Sequence, residues 1–179
     1  QNWKVGAKAF DFQSMLNLGV YDNNKQYLEN AYTEGLTDAK KYFALTYFND
    51  ERTFKKIASD LSLYDPSDAA FLNALKIMSK GNVEQNLSKL RSHLDLCKAD
   101  INCTAIKFIS GIAPLNKTNK KSISNIIRSK NADLLPILRG GLINLEGEAL
   151  LQTGDYSKAA EKFVLASNLG ELNSQVNLC

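Results

Sequence analysis

The sequence predicts an all-α protein of about nine or ten short helices. Three observations carry that prediction. Apolar residues recur at spacings of three and four along almost the whole chain, strand-like alternation is scarce, and only 3 prolines interrupt 179 residues. The connections between the apolar stripes are short, which makes sequential helices antiparallel neighbours.

Taken in order, Trp3, Ala7 and Phe10 begin the first stripe, and Tyr27, Leu28, Ala31 and Tyr32 form the second. Ala39, Phe43, Ala44, Tyr47 and Phe48 form a third, and Phe54, Ile57, Ala58 and Leu61 a fourth. Asp65 suits an N-cap, Pro66 the first helical position, and the helix is expected to run to about Ser79, with Gly81 ending it. Asn82 and Gln85 read as a capping box for the next helix, which carries Val83, Leu87, Leu90 and Leu94 on one face. Ile106, Phe108, Ile109 and Ile112 mark a further helix closed by Pro114. Leu115 to Lys121 reads as a polar loop, followed by a short amphipathic helix with Ile123, Ile126 and Ile127. Pro136 opens a helix to about Thr153, and Gly154 turns the chain into a last helix over Asp155 to Asn168. The pair Gly140–Gly141 inside that penultimate helix points to a close helix approach or a kink.

Bulk properties exclude several function classes. Net charge is +3, from 22 basic and 19 acidic residues, which gives little steering toward nucleic acid or an anionic membrane. The local basic group Lys117, Lys120, Lys121, Arg128 and Lys130 reads as a solvated loop and helix face. No apolar run approaches the roughly 20 residues that span a bilayer. The first residue is Gln rather than Met, so a processed chain is expected, and Cys179 falls where another helix would start, as in a fragment of a longer protein.

Cys97 and Cys103 flank a polar turn between two helices. They read either as a disulfide stapling that turn in an oxidising compartment or as two partly buried thiols. A single histidine, His93, with this cysteine pair is poor material for a zinc site, so no metal and no cofactor are expected. No Gly-rich phosphate loop, HExxH, GxSxG or calcium loop occurs, and Glu146 and Glu148 point to different faces of their helix. These observations predict a chain that is not an enzyme.

The segment from Gly147 to Ala166 has a specific order of residue sizes: small Gly147, turn residues Gly154 and Asp155, aromatic Tyr156, small Ala159, large Phe163 and small Ala166. It resembles a tetratricopeptide-repeat (TPR) motif. On that resemblance Gly147 lets paired helices approach, Tyr156 packs in the turn region, Ala159 sits at the tightest contact, Phe163 fills the inter-helix space and Ala166 admits the next repeat. A degenerate copy places Ala74, Gly81, Val83 and Leu90 at the positions of Gly147, Gly154, Tyr156 and Phe163, with Asn86 and His93 departing from the pattern. Gly81 and Gly154 are 73 residues apart, near two repeat periods of about 34. A hairpin from about Cys103 to Lys130 fits between them. Ala31, Gly35, Ala39, Ala44 and Tyr47 look loosely like a Sel1-type relative of that family.

The resemblance implies a right-handed superhelical array of antiparallel helix pairs, an α-solenoid, with degenerate repeats over residues 1–65 and TPR-like repeats over 66–179. It implies a groove lined by the first helix of each pair. Carried over, the groove positions are Asn144, Glu148 and Gln152 in the last repeat and Phe71, Leu75 and Met78 in the earlier one. The alternative for these residues is an ordinary solvated ladder and an ordinary core. The expected function is a protein–protein interaction scaffold or adaptor whose partner is another protein or a peptide segment, not nucleic acid. The expected setting is an exported compartment, such as a bacterial periplasm, in an envelope or secretion assembly; the cytoplasm is the alternative. A second reading is the helical, non-catalytic arm of a larger cell-wall-processing enzyme.

Overall fold

Capping side chains set where most helices begin. The computed structural model describes residues 4, 12–22, 24–81, 83–97, 100–129, 134–171, 174 and 177. Among the described residues there are ten α-helices and no strand. They are α1 Phe12–Tyr21, α2 Lys25–Thr33, α3 Thr37–Thr46, α4 Glu51–Leu61, α5 Pro66–Ser79, α6 Leu87–Leu96, α7 Ile101–Ile109, α8 Lys117–Arg128, α9 Pro136–Gln152 and α10 Tyr156–Asn168. The expected stripe of Trp3, Ala7 and Phe10, the Asn82 cap, Lys130 and Cys179 lie outside the described residues.

Asn24, Asp50, Asp100 and Asn116 accept backbone N–H bonds at the starts of α2, α4, α7 and α8. Asp65 does the same for Asp68 at the start of α5, with Pro66 behind it in the first turn. Each such cap contributes about 1 kcal/mol.

Three boundaries differ from expectation. The helix expected from residue 82 becomes α-helical only at Leu87, after a 3-10 turn over Glu84–Asn86; Leu90 and Leu94 are buried, while Val83 and Leu87 are half-buried. α7 stops at Ile109, well before Pro114, because Gly111 takes a φ of 72° and turns the backbone out of the helix. The stretch expected as a loop to Lys121 is helical from Lys117, because Asn116 caps it and Ile123 is buried one and a half turns on.

The chain forms two compact units, residues 1–81 with 88–98, and residues 82–87 with 99–179. Asp65, where the sequence suggests a division, lies inside the first.

In the first unit each helix packs on the next from α1 through α5, and α3 also touches α1 and α5. Small residues allow that central position: Ala39 and Ala44 of α3 are fully enclosed, beside Phe43. The expected stripe of α4 is buried throughout, at Phe54, Ile57, Ala58 and Leu61. Burial of each large member stabilises the unit by about 1.5–3 kcal/mol. Lys40 of α3 reaches Asp60 of α4 at 2.8 Å, and Lys41 reaches Asp68 of α5 at 2.8 Å.

In the second unit α9 is the hub. It packs on α10, α7 and α8, and α7 also packs on α8. The pair α9–α10 therefore has a neighbouring pair against it. The close approach expected at Gly140–Gly141 is present: a Cβ on Gly141 would stand 2.7 Å from Cδ1 of Ile109 on α7. The helix runs unbroken from Pro136 to Gln152. Asn102 of α7 is buried, and its Oδ1 accepts the Leu135 N–H at 2.9 Å where α9 has no side-chain cap of its own. Along the sequence α5, α7 and α9 begin at residues 66, 101 and 136, a constant interval of 35 residues.

Candidate functional site

The α9–α10 hairpin is built from residue size. A Cβ on Gly147 would stand 2.6 Å from the Phe163 ring, so only glycine admits the ring at this crossing. Phe163, Ala159 and Ala166 are all buried. Gly154 turns the chain with a φ of 81°, which side-chain-bearing residues rarely adopt. Asp155 caps α10 by accepting the Lys158 N–H. Tyr156 departs from the expected pattern: it is 69% exposed and fills no space in the turn, because Phe163 already occupies the crossing.

The ladder Asn144, Glu148 and Gln152 lies on one face of α9, but it is not uniformly open. Asn144 is buried; it donates to Glu148 Oε1 at 2.8 Å, and its Oδ1 accepts from Ser174 Oγ at 2.9 Å and Asn177 Nδ2 at 3.1 Å. The C-terminal segment of the chain thus occupies the place given to a partner at that position. Gln152 is exposed and Glu148 half-buried. In the first unit Phe71 is fully enclosed with Lys41 5.0 Å from its ring centroid, so it is a core residue in this structure; Leu75 and Met78 are half-buried. The structure does not bring Phe71, Leu75 and Met78 together as an open surface.

An open concavity lies instead on a neighbouring face of α9, beginning about 100° around the helix from that ladder. It has a volume of about 420 Å³, within the range of ligand clefts. Leu145, Ala149 and Thr153 line it at four-residue steps, with Glu146 and Leu150 on the adjacent row. Ile123, Ser124 and Lys120 of α8 line it from a second helix, Lys158 and Lys162 of α10 from a third, and Leu115 adds to its apolar lining. The floor is apolar and the rim is cationic. Among the lining residues three lysines face one carboxylate, Glu146. That carboxylate is already engaged: Ser124 Oγ donates to Oε1, and Lys162 Nζ stands 2.6 Å from Oε2. Lys158 pairs with Asp155 at 2.7 Å. That hydrogen bond is the main reason Asp155 titrates below its ordinary 3.8 and Lys158 above its ordinary 10.5.

The cleft was not visible in the sequence. Its walls come from three helices, and the apolar members read as ordinary core positions. One signal was available: α8 carries Lys117, Lys120, Lys121 and Arg128 and no acidic residue. Those cations read as a solvated face because Ile123 and Ser124 could not be placed beside α9 from spacing alone.

His93 sits half-buried on α6, and desolvation lowers its pKa below the ordinary 6.5. Cys97 and Cys103 are joined as a disulfide, and both are buried. Among the described residues no group of three or more His, Cys, Asp or Glu side chains is placed to hold a metal ion, and no helix is long and apolar enough to cross a membrane. No protein-family model matches the chain, and comparison with curated proteins and with solved structures finds no match to either.

Proposed function

We propose that the chain is a non-catalytic protein-interaction module built of stacked helix pairs of tetratricopeptide type, acting as a scaffold or adaptor. The observation that carries this reading is the amphipathic cleft on α8, α9 and α10, with an apolar floor and a cationic rim. Such a surface suits an apolar anchor side chain held in register by polar contacts at its edge. The constant interval from α5 to α7 to α9 and the size-matched crossing of Gly147 with Phe163 support the repeat reading. The Cys97–Cys103 disulfide supports an oxidising compartment, such as a bacterial envelope.

The test is affinity capture from extracts of the source cell, comparing the wild-type chain with Ala149→Phe. That substitution places a ring in the cleft from a half-buried position on α9. A specific protein retained by the wild type and lost by the variant, with the helical circular-dichroism spectrum unchanged, is the expected result. Equal recovery by both chains, or no retained protein, overturns the reading.

A further inference from the structure

We infer that the α8–α9–α10 cleft takes an acidic peptide segment, one that seats a bulky apolar side chain on the floor and sets carboxylates against Lys120 and Lys158. This inference rests on the interaction-module reading and adds the chemistry of the partner.

Charge complementarity names the occupant. Lys120, Lys158 and Lys162 stand on the rim, facing Glu146 among the lining residues. Lys158 is also held by Asp155 at 2.7 Å, so it would share its remaining N–H donors with a partner carboxylate, and Lys120 carries the main excess charge. Glu146 is turned to Lys162 and Ser124, so its charge is spent inside the wall. Lys117 and Lys121 extend the same positive surface along α8, which has no carboxylate of its own. These lysines lie in the first two turns of α8, where the helix macrodipole favours anions rather than cations. An anionic partner would relieve that local repulsion. The apolar lining, Leu115, Ile123, Leu145, Ala149 and Leu150, offers no polar side chain, so the part of the partner that meets it is apolar. A nucleic acid meets the rim but has no comparable apolar anchor for the floor. A cationic segment meets three lysines.

The test uses the full chain and a fluorescein-labelled synthetic peptide, Asp-Glu-Leu-Phe-Asp-Glu-Leu-Leu-Glu, read by anisotropy. Three comparisons accompany it: the same peptide with Asn and Gln in place of Asp and Glu, a Lys120→Glu/Lys158→Glu chain, and displacement by dodecanoate. Both reversals fall near helix starts, where an acidic side chain suits the dipole, and position 158 lies three residues after the Asp155 cap as in a capping box; the variant chain is therefore expected to fold. The expected result is saturable binding that weakens about tenfold or more in the charge-reversed chain and in the neutral peptide. Raising the salt concentration should weaken it further, because rim charges are screened. Ala149→Phe should abolish it.

Absence of saturable binding overturns the inference, as does equal affinity for the acidic and neutral peptides. Tighter binding of dodecanoate than of the peptide assigns the cleft to a fatty-acyl anion and overturns it too. If the wild-type chain still captures a cellular protein through the cleft, those outcomes remove the acidic-segment inference alone. If it captures none, the interaction-module reading fails with it.

Discussion

Gly147 shows how one missing side chain determines an element pair. Alanine there would gain about 1 kcal/mol of helix propensity. Its Cβ would also press on the Phe163 ring at 2.6 Å, and a buried ring packed on both sides has little room to give. Overpacking costs about 1–3 kcal/mol and outweighs the propensity gain. Gly147→Ala should therefore lower the urea midpoint with no change in the slope of the transition. Adding Phe163→Leu should restore part of the loss attributable to the clash. A Gly147→Ala chain as stable as the wild type would mean the two helices separate freely, and the size-matched crossing would not be what holds the hairpin.

Single titrating groups also set the acid limit. His93 has a folded pKa below its ordinary 6.5 because burial disfavours its charged form. The unfolded chain then binds the proton first as pH falls through 6.5, so stability declines from there toward the folded pKa. Asp50 is held below 3.8, first by the hydrogen bond from the Thr53 hydroxyl. Glu51 is held below 4.5, first by Lys55 and then by Lys80. Their stabilising contribution is present above those ordinary values and is lost as pH falls through the lower folded ones. Denaturation followed across pH should show two losses in the same direction, one beginning near 6.5 and one below about 4.5. His93→Gln should remove the first and leave the second. A first loss of the same size in that variant would assign it to another group.

At the scale of the element, the α9 start depends on a side chain from another helix. Leu135 gives α9 no side-chain cap, and Asn102 of α7 accepts the Leu135 N–H instead. Asn102→Ala leaves that partly buried donor unpaired and should cost about 1–3 kcal/mol. Amide exchange at Leu135 should accelerate in the variant; unchanged exchange and stability would show that the contact is incidental. This dependence could not be read from spacing, because residues 102 and 135 are separated by a whole helix. What was readable was local: the Asp65–Pro66 start, the Gly154 turn and the buried face of α4 each announce themselves within a few residues. The start of α8 reads as a loop because seven polar residues run in a row from Asn116 to Ser122, and the signal that makes them helical is the Asn at position 116. The cleft was unreadable for a related reason. Its floor residues are apolar on helices that are apolar elsewhere, and only assembly shows which faces remain uncovered. The positions Asn144 and Phe71, chosen from the family pattern, are both buried, one under the chain's own C-terminal segment and one in the first unit's core.

At the scale of the whole molecule, partner binding depends on helix pairs that cover one another and leave a cleft open. The second unit provides the pair-on-pair packing through α9, and no residue of α7 lines the cleft. The expected groove would place binding on the Asn144, Glu148 and Gln152 face of α9 and along Phe71 to Met78. Hydrogen–deuterium exchange of the full chain, with and without its captured protein partner, separates the two. Binding in the cleft predicts slowed exchange over residues 115–124 and 158–162, which lie outside the expected groove, as well as over 145–153, with Phe71 to Met78 unchanged. Slowed exchange confined to residues 71–78 and 144–152, with 115–124 and 158–162 unaffected, would contradict it.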